Sequence, residues 1–304
     1  MEEPEIHQLE ELYKKYGYYE PPRRHWIARL LRDDKPTINY ILFFLTFLTT
    51  FSTGYLYHNS ISAGFWYSFG IMSILLAHEM GHYTMCQKYG VRATLPFFIP
   101  FPPLINPFGT MGAVIRMEGQ MPNRKVLFDI GAGGPLAGLV LTIPALYFGL
   151  KMSEIVPVQK QVEGVIYLGD SLLFKAFVFL AKGKLGANQD VMLHPLAYAG
   201  WAGLFVTALN LLPIGQLDGG HVLYSLFGRR SQFIYPIILG LFALICIFFY
   251  IGWILLILLL VWFGFKHPPP LDPETPLDPA RQALAIFIFI IFIVSFTPVP
   301  FKIL

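Results

Sequence analysis

Hydrophobic and polar positions divide the chain into long apolar runs separated by short polar ones. A helix that crosses a bilayer needs about 20 mostly apolar residues, with a range of roughly 17–25. Residues 38–57, 62–88, 126–150 and 196–212 form four such runs. The run 233–265 is too long for one crossing and divides near Gly252, where glycine permits a turn, into two short helices. A last stretch, 283–297, is short and fits a tilted or partly interfacial helix. The pattern predicts an all-α polytopic membrane protein with six to seven transmembrane helices and no internal repeat.

Two apolar segments break the helical pattern. Residues 94–115 contain Pro96, Pro100, Pro102, Pro103 and Pro107. Proline removes backbone donors and clashes inside a helix, so this segment is not a regular span. Irregular backbone at membrane depth survives only when buried in protein or lining a wet cavity. The expectation is therefore a re-entrant, β-like loop after the second helix, ending in a strand at 109–117. The second break is Asn210 to Gly220, where Pro213, Gly215, Gly219 and Gly220 interrupt the fourth helix. Residues 268–279, PPPLDPETPLDP, read as a polar linker. The resulting division is an N-terminal cytosolic segment 1–37, a first transmembrane helix 38–61, a core 62–226 and C-terminal helices 227–304.

Composition supports this picture. Only 13% of residues are charged, against about 25% in soluble domains, and 55% are hydrophobic, with a mean hydropathy of +0.55. A disordered chain is excluded and a soluble two-domain enzyme disfavoured. The net charge of +3 is too slight to suggest nucleic acid. The basic residues read instead as a topology signal. With the N-terminus in the cytoplasm, 16 of the 22 Lys and Arg fall in inside segments (1–37, 87–125, 229–230 and 266–281). The expected setting is a prokaryotic plasma membrane, with the site described next toward its cytoplasmic side. Residues 1–37 lack the apolar core of a secretory signal, and the two cysteines, Cys86 and Cys246, form neither a disulfide framework nor a CxxC site.

The chemistry begins in the second apolar run, at His78-Glu79-Met80-Gly81-His82. On a helix, residues four apart lie on one face, so both imidazoles can reach one metal ion, with Glu79 beside them to take a proton from water. The bare HExxH pattern is common, but here three ionisable residues interrupt a stretch that otherwise suits lipid. Each charge there costs about 2.5–3.5 kcal/mol even on the lower scales, so such residues are usually functional. A catalytic zinc takes three protein ligands and keeps one position open. The candidate third acids are Glu118, Asp129, Glu154, Glu163, Asp170, Asp190 and Asp218. Only Asp218 lies in apolar sequence within a helix break, so it leads. Asp129 follows, although an acid near a helix N-terminus is favoured by the macrodipole alone.

Cys86 continues the His78 and His82 face, yet it sits eight residues from His78, about 12 Å along a straight helix. Zinc bonds span only about 2.0–2.3 Å, so Cys86 is a packing residue. His221 reads equally well as a residue orienting the site or as a polar helix start. His58 and His194 fall at helix ends and carry no expected role.

Together, His78-Glu79-Met80-Gly81-His82 and Asn210-Leu211-Leu212-Pro213-Ile214-Gly215-Gln216-Leu217-Asp218-Gly219-Gly220 resemble the paired signature of the site-2 protease family of intramembrane zinc metalloproteases. Gly131 to Gly138, GAGGPLAG, resembles the small-residue helix between them. The resemblance covers about residues 62–226. It implies one catalytic Zn2+ held by His78, His82 and Asp218, with Glu79 as general base and Asn210 assisting the reacting carbonyl. It also implies membrane-anchored protein substrates, cut in or near their transmembrane segments. Such a substrate helix must unwind, and the strand edge expected at 109–117 offers it a pairing surface. The outer loop, about 151–195, is too short for the PDZ domain that many family members carry. The competing reading is a non-enzymatic metal-binding membrane protein or transporter. It is disfavoured because all four catalytic groups are present and repeats are not seen.

Overall fold

A computed structural model describes residues 36–158, 166–264 and 267–303. The N-terminal segment expected to be cytosolic lies almost wholly outside the described residues. The described chain opens with two helices joined by a short turn, α1 (Thr37–His58) and α2 (Ile61–Lys88). Small and hydroxyl side chains let them approach closely, as is usual between membrane helices. A Cβ at Gly54 would meet the Ala63 carbonyl at 2.7 Å, and the Thr50 and Ser68 hydroxyls hydrogen-bond at 2.7 Å.

Next comes a double hairpin in place of a helix. β1 (Arg92–Ala93) pairs antiparallel with β4 (Met117–Glu118), and within that pair β2 (Phe97–Pro100) meets β3 (Thr110–Val114). The expected strand at 109–117 is thus divided. Gly112 has φ +96, and the register shifts between Phe98 and Pro100, where proline supplies no N–H. The hairpin is anchored in the helices. The Asn39 amide donates to the Leu95 and Pro96 carbonyls, while Tyr67 and Tyr198 donate to the carbonyls of Phe108 and Pro107 at its tip. Gly109, at φ +69, rests on α1, where a Cβ would come within 2.3 Å of Thr53 Oγ1.

α3 (Arg124–Met152) follows, capped by the Asn123 side chain, which accepts from the Val126 N–H at 3.0 Å. A small mixed region then carries β5 (Glu154–Pro157), β6 (Ile166–Leu168), the amphipathic α4 (Leu172–Lys182) and β7 (Gln189–Met192). β5 pairs with β7, and β6 with β8 (Phe301–Ile303) near the C-terminus. α5 (Pro195–Asn210) is buried along most of its length and packs against both α2 and α3. It stops at Asn210 because Pro213 cannot continue it.

α6 (Asp218–Phe227), a 3-10 turn (Gly228–Arg230) and α7 (Ser231–Phe248) make one long run. A break over Phe249–Trp253 then separates α8 (Ile254–Phe263), as expected near Gly252. α9 (Pro279–Ser295) is the last helix, begun by the Asp278 side chain accepting from the Arg281 N–H. Among the described residues, four helices are long and apolar enough to cross a membrane: Thr37–His58, Ile61–Lys88, Arg124–Met152 and Asp218–Phe248. Ile251–Trp262 and Pro279–Ser295 are shorter apolar helices. The chain is a helical membrane protein.

The stretch 268–279 is more than the polar linker expected from its prolines. The Leu271 and Asp272 N–H groups donate to the Met121 and Pro122 carbonyls, just ahead of α3, and Leu277 is buried among apolar side chains. Prolines prevent a helix here but leave an extended backbone free to pair on the surface of its neighbours.

Candidate metal centre

The site is assembled by α2, α3, the end of α5 and the first residue of α6. His78 and His82 lie one helical turn apart on the face of α2 that meets α3. That contact requires small residues. A Cβ at Gly134 would fall 2.1 Å from His82 Nε2, and one at Gly81 would fall 2.3 Å from the Gly133 carbonyl. The helix with small residues is therefore cut to the shape of the imidazoles. Gly134→Ala should push His82 out of place, giving less bound zinc by elemental analysis while the protein still folds; unchanged zinc content would contradict the contact.

Asp218 opens α6. It is the first helical residue, with Leu217 as the cap, whereas the glycines around it had suggested a position inside the break. A carboxylate is favoured in a first helical turn, next to unpaired N–H groups. Its Oδ2 lies 3.2 Å from His78 Nε2 and its Oδ1 lies 3.3 Å from His82 Nε2. The two Nε2 atoms are themselves 3.2 Å apart. His82 Nδ1 is 2.8 Å from the Ile130 carbonyl of α3 and donates to it, which leaves His82 Nε2 with its lone pair directed inward.

Among the described residues, His78, His82 and Asp218 are the group of three whose donor atoms lie close enough, all within 4.8 Å, to hold one metal ion. Both histidines are buried, and Asp218 Oδ2 is a buried oxygen without a hydrogen bond of acceptable geometry. The two Nε2 atoms are 3.2 Å apart, and each has one Asp218 carboxylate oxygen at 3.2–3.3 Å, separations close to the ligand–ligand edge of a tetrahedron with bonds of about 2.0–2.1 Å, the size for zinc with nitrogen and oxygen ligands. The residues fit a zinc ion.

Glu79 is 5% exposed, and its carboxylate lies beside the backbone of Ile115, immediately after β3. The hairpin therefore ends beside the acid. Asn210, the last residue of α5, has its amide nitrogen 3.2 Å from His78 Nε2. The sequence-predicted residues His78, Glu79, His82, Asn210 and Asp218 are thus brought to one place.

Other candidates lie elsewhere. Cys86 is fully buried in an apolar cluster with Tyr89, Val91, Val126 and Ile130. Asp129 is not simply a helix N-terminal acid: it is the sixth residue of α3 and holds the Arg281 guanidinium through both oxygens, at 2.9 and 2.7 Å. Tyr89 donates to the same carboxylate. His221 Nδ1 meets His267 Nε2, a contact between segments distant in sequence that no local pattern announces. His194 caps α5, where its Nδ1 accepts from the Leu196 N–H.

A helical membrane protein with a His-His-Asp centre between its helices is the class that fold and site define. The sequence profile of peptidase family M50 matches residues 66–253, more than half of the chain. The chain belongs to peptidase family M50, the family of the site-2 proteases. It is 35% identical over 178 residues to "Probable zinc metalloprotease EGY1, chloroplastic" of Oryza sativa subsp. japonica, covering 55% of this chain and 28% of that protein. The protein of the same name in Arabidopsis thaliana is 33% identical over 171 residues, covering 54% and 30%. "Probable zinc metalloprotease EGY2, chloroplastic" of Arabidopsis thaliana is 29% identical over 236 residues, covering 75% and 40%. The chain spans less than half the length of these curated relatives.

Proposed function

We propose that this chain is an intramembrane zinc metalloprotease that hydrolyses peptide bonds in or near the transmembrane segments of membrane-anchored proteins. The observation that carries the reading is the convergence of His78, His82 and Asp218, with Glu79 adjacent, inside a contact between apolar helices. His78, His82 and Asp218 hold the metal, Glu79 is the general base, and Asn210 faces the reacting carbonyl. A zinc ion in this centre supplies Lewis acidity, which acidifies water and polarises a carbonyl.

The protein's own groups do the rest. The Glu79 carboxylate takes a proton from the attacking water and returns it to the leaving amine nitrogen. Burial keeps the carboxylate from bulk solvent, and the backbone of Ile115 lies beside it. The Asn210 amide N–H groups are donors that stabilise negative charge as it grows on the carbonyl oxygen. His82 is held in the metal-binding tautomer by the Ile130 carbonyl.

β3 pairs on one side with β2 and leads directly to Ile115 beside Glu79. An unwound substrate adding to its other edge would be carried as a strand toward the site. The core is residues 62–226, flanked by the helix in 38–61 and by 227–304, and residues 94–115 are its re-entrant element. We take the six to seven spans to be the four long apolar helices, the two shorter ones and the buried α5 of the described residues, a reading that their length and hydropathy support. Orientation follows the basic residues. His82 lies six residues from Lys88, about 9 Å along α2, so the site faces the end where the Lys and Arg cluster, taken as cytoplasmic. We take the membrane to be a prokaryotic plasma membrane; the chloroplast location in the relatives' names belongs to those proteins.

The experiment is cleavage of a helical membrane substrate by purified protein in detergent. Chelation should abolish cleavage and one equivalent of zinc should restore it. Cleavage that persists after complete removal of zinc would overturn the reading.

A further inference from the structure

α3 has a structural weakness where it meets the metal centre. Residues 130–135 read Ile-Gly-Ala-Gly-Gly-Pro. Each glycine costs a helix roughly 1 kcal/mol relative to alanine, and Pro135 leaves the Gly131 carbonyl without its usual donor. The glycines cannot be exchanged without displacing their neighbours, because the His82 ring and the backbone and His221 of neighbouring helices fill the space where Cβ atoms would be. Yet this stretch begins with Ile130, whose carbonyl fixes His82. A pliable turn of helix is being used as a rigid support, so its direction has to be held from outside.

The holder lies one residue earlier. Asp129 receives both Nε and Nη2 of Arg281, a two-point contact that fixes orientation as well as distance. Tyr89, the residue that ends α2, donates to the same carboxylate. Asp278, the cap of α9, binds the remaining side of the guanidinium. One node thus ties the end of α2, the start of α3 and the start of α9 together. Arg281 belongs to α9, outside the stretch that matches the family profile.

We infer that Arg281 is a positioning residue for the metal centre: through Asp129 it holds the Ile130 carbonyl in place and so orients His82 for zinc. This rests on the reading of His82 as a ligand. The ion pair is mostly buried, with the Arg281 and Asp129 side chains 22% and 16% exposed. Breaking such a pair destabilises, whereas replacing both partners with apolar residues is often neutral. That difference separates positioning from mere stability.

The test compares full-length wild type, Arg281→Met, Arg281→Lys and the double variant Asp129→Leu/Arg281→Met in one detergent. Thermal unfolding is measured on metal-free protein, zinc affinity by competition with a chelator, and site geometry by the visible spectrum of the Co(II) form. Arg281→Met should lose both stability and about 10–100-fold in zinc affinity, the usual effect of removing a partner behind a metal ligand. The double variant should regain stability but not affinity, and its Co(II) spectrum should stay altered. Affinity that returns together with stability would overturn the inference. So would an unchanged affinity in Arg281→Lys, which keeps the charge but not the two-point fork and serves if Arg281→Met does not fold. A wild-type protein that takes up no zinc would fail differently, removing the metal centre itself and this inference with it.

Discussion

Purified Asp218→Asn protein is expected to lose its zinc. The substitution keeps the shape of the side chain but replaces an anionic oxygen donor with a neutral one. Asp218 is the one charged donor in the proposed set, and its two oxygens lie 3.2 and 3.3 Å from the Nε2 atoms of His78 and His82. The loss of affinity should exceed the 10–100-fold typical of groups that only support a ligand. His78→Ala and His82→Ala should behave alike, and cleavage should vanish in all three. Cys86→Ala is the control. Its sulfur belongs to an apolar cluster and lies about two helical turns from His78, so zinc content should not change. Equal zinc loss from Cys86→Ala and Asp218→Asn, measured by elemental analysis, would sink the ligand assignment.

Glu79→Gln should have the opposite signature, with zinc and folding retained and cleavage lost. Glutamine keeps the size of the side chain and a hydrogen-bond-accepting oxygen, but it does not accept a proton at neutral pH. General bases contribute about 10²–10⁴-fold, so cleavage should fall nearly to background. A variant with full zinc and near-normal cleavage would remove Glu79 from the mechanism. One that loses zinc would make Glu79 a ligand and leave Asp218 without its role.

Most of the fold and the whole candidate site are legible in the sequence because their signals are local. Helix ends follow apolar run lengths, so 38–57 and 62–88 differ by a residue or so from Thr37–His58 and Ile61–Lys88. His78 and His82 share a helical face by spacing alone, and Asp218 is marked as an acid in an apolar break. What escapes is nonlocal. Nothing near Asp129 announces Arg281, which is 152 residues away. His221 and His267 meet across 46 residues, and the prolines of 268–279 suggest a loose linker although the backbone pairs with Met121 and Pro122. Even the hairpin is half legible: its prolines exclude a helix, but the division into β3 and β4 reflects pairing with two different strands, β2 and β1, up to 26 residues away.

The central claim is that two imidazoles and one carboxylate hold a zinc ion between these helices. X-ray absorption at the zinc edge of the purified full-length protein tests it most directly. The account predicts a first shell of nitrogen and oxygen alone at about 2.0–2.1 Å, with the outer scattering of two imidazole rings. A sulfur shell near 2.3 Å, or a protein that carries no zinc, would contradict it.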